Sequence, residues 1–192
     1  MKKQNTILIV DDVEMNRVIL QSLFAEEYNL LEAENGAQAM MLLRQYSGQI
    51  ATVLLDLIMP EKDGYQVLEE MGKDEALSRI PVIVITSDDT RDSKVRVFQM
   101  GASDIITKPF EPDVVKSRVK NIVELNRHRR HLEELVEEQS ASLRESNSII
   151  IDMLSSVIEY RSLESGQHIQ RIRYFTQILL EEIGRASCRE RV

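Results

Sequence analysis

A chain of 192 residues, 43% hydrophobic and 29% charged, can bury one α/β-sized core and carry an appendage, but falls short of two full domains. Its net charge of -8 argues against a general nucleic-acid binder, which needs Lys and Arg clustered against phosphates. A single cysteine, Cys188, excludes an internal disulfide and fits a reducing cytoplasm, and no stretch reaches membrane-spanning length.

The basic start Met1-Lys2-Lys3 precedes an apolar run, Ile7 to Val10, that stops at Asp11 and is too short for an export core. Thr6 to Val10 predicts a strand that runs into Asp11-Asp12, and Glu14 to Glu26 a helix with Met15, Val18, Ile19 and Leu23 at helical spacing. A second strand, Tyr28 to Ala33, leads to Asn35-Gly36, where Asn35 can cap a helix bearing Ala39, Met40, Leu42 and Leu43. Ile50 to Leu55 is almost wholly apolar, as expected of a central strand covered on both faces, and delivers Asp56 to its C-terminal end. Asp63-Gly64 marks a turn before the helix of Val67 and Leu68. Pro81 to Ile85 predicts a fourth strand ending at Thr86-Ser87, and Arg91 to Met100 a helix closed by Gly101. The fifth strand, Asp104 to Thr107, meets Lys108-Pro109, and Pro112 opens the fifth helix.

Five strand-helix alternations imply a doubly wound α/β domain, a flavodoxin-like (βα)5 unit with parallel sheet order 2-1-3-4-5, followed by a C-terminal helical extension. In that order strands 1 and 3 are neighbours at the switch point, so Asp11, Asp12 and Asp56 converge, flanked by Thr86 and Lys108 from strands 4 and 5. Three adjacent carboxylates persist most readily around a hard cation, for which Mg²⁺ is the usual choice. A carboxylate can also accept a phosphoryl group as an aspartyl-phosphate, with a cation such as Lys108 and a hydroxyl such as Thr86 holding the charged oxygens.

On Asp11-Asp12, Asp56 with Met59-Pro60 and Asp63-Gly64, Thr86, and Lys108-Pro109-Phe110, the chain resembles the receiver domain of bacterial two-component response regulators over roughly residues 5 to 125. The resemblance implies that Asp56 is the phosphoacceptor, supplied by a cognate sensor histidine kinase. It implies that Asp12, Asp56 and the Ile58 backbone carbonyl hold Mg²⁺, Asp11 acting largely through water. It further implies that Lys108 contacts the phosphoryl group, that Thr86 is the switch hydroxyl, and that Lys108-Pro109 is cis. One position departs: where the family often carries an aromatic switch residue, three positions before the lysine, this chain has Ile105. The enzyme alternative, a haloacid-dehalogenase-type phosphatase, wants a second acid two residues after the nucleophile, and Ile58 stands there.

From Ile122 onward apolar residues recur at heptad spacing, with Ile122, Val136, Leu143, Ile150 and Val157 on one line and Leu125, Leu132 and Met153 on the other. The pattern predicts a coiled-coil helix over 126–147 able to form a homodimer, weakened where Arg129, Gln139 and Ser146 interrupt it. His128 and His131, among Arg127, Arg129 and Arg130, read as solvated residues. After Ser148 the stripe widens through Ile149, Ile150, Met153, Leu154, Val157 and Ile158, as in a helix entering a core. Glu159-Tyr160-Arg161 to Glu164-Ser165-Gly166-Gln167-His168, then Arg171, resembles the opening of HD-GYP cyclic di-GMP phosphodiesterase domains. There Glu164 and His168 are possible metal ligands, and a complete parent would hold a di- or trinuclear metal centre. The expected organisation is a receiver over 1–125, the linker helix, the first helices of a truncated HD-GYP-like domain over 148–182, and residues 183–192 as a scar resembling a translated sequencing adapter. The fragment itself is then regulatory. The rival is a receiver and coiled-coil adaptor acting through regulated dimerisation.

Overall fold

The computed structural model describes residues 5–161 and 170–180. The chain divides into two units, Met1–Arg130 and His131–Val192.

The first unit alternates strand and helix: β1 Thr6–Val10, α1 Glu14–Phe24, β2 Asn29–Ala33, α2 Gly36–Tyr46, β3 Ile50–Asp56, α3 Gly64–Lys73, β4 Val82–Thr86, α4 Arg91–Gln99, β5 Asp104–Thr107 and α5 from Pro112. The five strands form one parallel sheet in the order β2-β1-β3-β4-β5. Alternation along each strand sends side chains to opposite faces, and each face has its own core. Leu8, Val10, Val53, Leu55, Val82 and Val84 pack with α2, α3 and α4, while Ile7, Ile9, Leu54, Ile83, Ile85 and Ile106 pack with α1 and α5. All seven β3 residues are buried, which is why that run lacks the polar alternation of a half-exposed strand. Each buried aliphatic side chain stabilises the fold by roughly 1.5–3 kcal/mol.

Local chemistry sets the ends. Asn35 caps α2 by accepting from the Gln38 N–H at 2.9 Å, and Asp63 with Gln66 forms a reciprocal capping box on α3. β4 begins at Val82 and not Pro81, since Pro81 lacks an N–H for the ladder; its carbonyl accepts instead from the Val53 N–H and the Thr52 hydroxyl. Gly101 follows α4 with φ 95°, the left-handed region that favours glycine.

Two predicted faces change. On α1 the packed residues are Arg17, Leu20 and Phe24, whereas Met15, Val18 and Ile19 are exposed. Arg17 is accommodated on the packed face because its guanidinium reaches the buried Asp11 carbonyl just past β1, with Glu32 and Glu34 beside it. Ile122, placed on the coiled-coil line, instead packs with Val123 against the α1/α5 core.

α5 is continuous from Pro112 to Arg161, 50 residues, with no break at 125 or 147. Asn126 is buried and Arg129, which interrupts the heptad lines, donates to the Asn126 side chain at 2.9 Å and to the Arg79 carbonyl at 3.2 Å. In the second unit α5 carries exposed Leu132, Val136, Leu143, Ile150, Met153 and Val157. A helix over 170–180 is joined to it by an Arg173 to Asp152 ion pair at 2.7 Å. No helix of the described residues is long and apolar enough to cross a membrane.

Candidate functional site

The C-terminal ends of β1, β3, β4 and β5 supply the site. Register carries Val10 beside Leu55 and Asp56 beside Ile85, so residues just past those positions emerge at one edge of the sheet. One oxygen from each of Asp11, Asp12 and Asp56 lies within 4.8 Å of the others. Asp11 and Asp56 are buried and Asp12 is exposed. β3 runs one residue beyond its apolar stretch, so Asp56 is its last strand residue and is held by the ladder.

Lys108, from the residue after β5, donates to Asp11 Oδ2 at 2.9 Å and to Asp56 Oδ2. Its backbone N–H donates to the Thr86 carbonyl at 2.8 Å, and the Lys108-Pro109 bond is cis. Thr86 is buried, and its Oγ1 accepts from the Asp88 N–H at 3.1 Å. Gly64, at the start of α3, closes the site from below. A Cβ there would stand 2.3 Å from the Asp56 carbonyl oxygen, so the close approach of helix to strand requires glycine.

Charges here do not balance locally, since three carboxylates face one ammonium. Burial pushes the Asp56 carboxyl above its usual range, against the pull of its hydrogen bond with Lys108. For Lys108 burial alone would lower the ammonium, but the hydrogen bonds and charges of Asp56 and Asp11 outweigh it and hold it above its usual value. One cation serving two buried acids is held firmly charged, while neither acid has it to itself. That residual negative charge and the all-oxygen donor set suit a hard divalent cation.

Asp11 has further partners that sequence reasoning missed. The Val13 N–H donates to Oδ1 at 2.9 Å, and the Asn16 amide to both carboxylate oxygens at 3.0 and 3.1 Å. Arg17, buried, donates to the Asp11 carbonyl at 2.8 Å and pairs with Glu32 and Glu34. The signal available was the Arg17, Leu20, Phe24 spacing, which marks one helical face. The Ile58 N–H donates to Asp56 Oδ1 at 3.3 Å. Ile105 stands opposite Val84 on β4, partly buried against the α2/α3/α4 core. Glu164 and His168 lie outside the described residues, as do residues 183–192.

A doubly wound sheet whose strand ends gather three carboxylates, a lysine and a threonine defines the class of phosphoryl-accepting signalling domains. The chain belongs to the response regulator receiver domain family, which matches residues 7–120. It is 31% identical over 188 residues, 94% of this chain and 42% of the other, to a "Probable cyclic di-GMP phosphodiesterase" of Vibrio cholerae, so it spans less than half of that relative. It is also 31% identical over 192 residues, 100% of this chain and 74% of the other, to a "Probable transcriptional regulator ycf27" of Cyanidium caldarium. Among solved structures, the signal receiver domain of a signal transduction histidine kinase from Syntrophus aciditrophicus is similar with TM-score 0.58 and 31% identity, covering 62% of this chain and 90% of that one. Receiver domains are regulatory modules of two-component signalling that accept phosphoryl groups from histidine kinases.

Proposed function

We propose that Asp56 is the phosphoacceptor of a phosphorelay and that its phosphorylation requires Mg²⁺. The observation that carries this reading is the convergence of Asp11, Asp12 and Asp56 around the Lys108 ammonium at the switch point of the sheet. An Asp56 carboxylate oxygen attacks the phosphorus of a phosphohistidine. The P–N bond breaks, its electron pair leaving with the imidazole of the donor histidine, which takes up a proton from solvent, and a carboxylic-phosphoric anhydride forms. Lys108 stabilises the phosphoryl oxygens, and Thr86 donates a hydrogen bond to one of them after turning its hydroxyl. Asp12, Asp56 and the Ile58 carbonyl would hold Mg²⁺, with Asp11, already occupied by Asn16, Val13 and Lys108, acting through water. The cation, when bound, neutralises charge on the transferring group. Incubation with acetyl phosphate and Mg²⁺, followed by peptide mapping of the label, tests the assignment; label on any other residue contradicts it.

The output is proposed to be an HD-GYP-type cyclic di-GMP phosphodiesterase, of which Glu164 and His168 would be metal ligands in a complete parent. The similarity to the Vibrio cholerae relative supports this because it extends beyond the receiver to 94% of the chain. α5 would transmit the signal as a homodimeric coiled coil through Leu132, Val136 and Leu143, which are exposed in the single chain. The similarity to the Cyanidium caldarium protein, also over the full chain, favours a second reading in which the output acts on transcription. The gene sequence that follows α5 decides between them: an HD pair followed by Gly-Tyr-Pro supports the phosphodiesterase, and a DNA-binding domain the other.

A further inference from the structure

Thr86 heads a run of hydrogen bonds that ends on a different helix. Its Oγ1 accepts from the Asp88 N–H at 3.1 Å, and Asp88 Oδ1 accepts from the Thr90 N–H at 3.0 Å. Thr90 caps α4, its Oγ1 accepting from the Ser93 N–H at 3.4 Å. The buried Ser93 hydroxyl meets the Tyr65 hydroxyl of α3 at 2.9 Å, and the Arg96 guanidinium lies over the Tyr65 ring, 4.5 Å from its centroid. Three of these links are side chains bonding a backbone N–H two or three residues on. Such turns hold a loop in one shape only while each acceptor stays in place.

We propose that the Tyr65, Ser93 and Arg96 contact is a latch that holds the first turns of α4 against α3 until Thr86 turns toward a phosphoryl group on Asp56. The inference rests on Asp56 as phosphoacceptor. Thr86 is β-branched, so its hydroxyl moves by changing between discrete rotamers and not by drifting. A rotamer that donates to the phosphoryl oxygens withdraws Oγ1 from the Asp88 N–H. That bond is one of those that shape the 87–90 loop, and the Asp88 N–H can pass to water, so its loss releases the loop to rearrange. Ser93 sits in the first turn of α4, directly after that loop, and its bond with Tyr65 is the tertiary contact that such a rearrangement strains. Ile105, aliphatic and turned into the core, cannot read Thr86 as an aromatic side chain would. Tyr65 supplies the aromatic contact with α4 from α3 instead. The latch therefore opposes the activated arrangement, and breaking it shifts the population toward that arrangement before any phosphoryl group arrives.

Hydrogen exchange of the full chain, with and without Mg²⁺ and beryllofluoride as a phosphoryl analogue, tests this in wild type, Tyr65→Phe, Ser93→Ala and the double variant. Tyr65→Phe keeps the ring under Arg96 and removes only the hydroxyl contact. In wild type, beryllofluoride should raise exchange over residues 88–97 severalfold. Each single variant should start about fivefold higher without the analogue and gain little on adding it. The double variant should match the singles, since both remove one bond. Wild-type exchange in the variants, or an equal rise on adding the analogue, overturns the latch. If no protein responds at residues 54–60, the assignment of Asp56 falls and the latch with it. Should Tyr65→Phe not fold, Ser93→Ala carries the same outcomes.

Discussion

Arg17 donates through Nη1 to the backbone carbonyl of Asp11 at 2.8 Å, joining two buried residues on either side of the turn from β1 to α1. With Asn16 on the Asp11 carboxylate, consecutive residues of α1 hold both ends of one acid. Arg17→Leu should therefore lower stability by about 1–3 kcal/mol, the cost of leaving the Asp11 carbonyl unpaired, and should weaken Mg²⁺ binding by loosening the turn. Chemical denaturation and Mg²⁺ titration of the same variant check both. Unchanged Mg²⁺ affinity would show that Arg17 serves the fold alone.

The charge imbalance at Asp56 has a pH consequence. Burial raises its carboxyl, so the folded chain keeps this proton to a higher pH than the unfolded chain, whose ordinary value is 3.8. Asp56 thus favours folding below 3.8, and that contribution is lost as pH rises through the folded value. At neutral pH the ionised group is a net cost that asparagine lacks. Asp56→Asn should melt above wild type at pH 7 without Mg²⁺, with the gap closing toward pH 3.8. Thermal melts across that range would contradict the account if the gap widened in acid.

Lys108 is held above its usual 10.5 by Asp56 and Asp11 despite burial, so its contribution to stability is present below 10.5 and lost as pH rises through the folded value. Lys108→Ala should leave Mg²⁺ binding intact or tighter, because a neighbouring positive charge is gone. Its phosphorylation should slow about a hundredfold, the scale of one lost contact to the transferring oxygens. Stopped-flow kinetics with acetyl phosphate separate the two effects.

The exposed apolar residues of α5 make the proposed dimer testable. Leu132 and Leu143 are 61% and 63% exposed in the single chain. Sedimentation of the chain should show a reversible dimer that Leu132→Asp weakens at least tenfold. A strict monomer at high micromolar concentration would contradict it.

Strand order and the meeting of the strand ends were legible because the strand signals are local and the topology of a doubly wound sheet then decides which ends meet. Apolar runs ending at Asp11, Asp56, Thr86 and Lys108 set the strands, and the switch point of a 2-1-3-4-5 sheet brings those ends together. What was not legible depended on particular side-chain partners that no periodicity marks. Arg17 is a charge on a core face, and only Asp11, Glu32 and Glu34 around it explain its burial. Choosing Met15, Val18 and Ile19 for that face followed hydrophobicity, whereas the packed face is Leu20 and Phe24 with Arg17 hydrogen-bonded to the Asp11 carbonyl. Ile122 fits a heptad line and a receiver core equally by spacing, and packing on α1 settled it. The Thr86 to Tyr65 connection passes through one loop and two helices, with no periodicity to reveal it.

The most direct test of the central claim is intact-mass spectrometry of wild type and Asp56→Asn after exposure to acetyl phosphate, with and without Mg²⁺. Wild type should gain one phosphoryl group only when Mg²⁺ is present, and Asp56→Asn should gain none. Labelling that needs no Mg²⁺, or that survives Asp56→Asn at the wild-type level, would place the phosphorylation site away from the strand-end carboxylates and contradict the account.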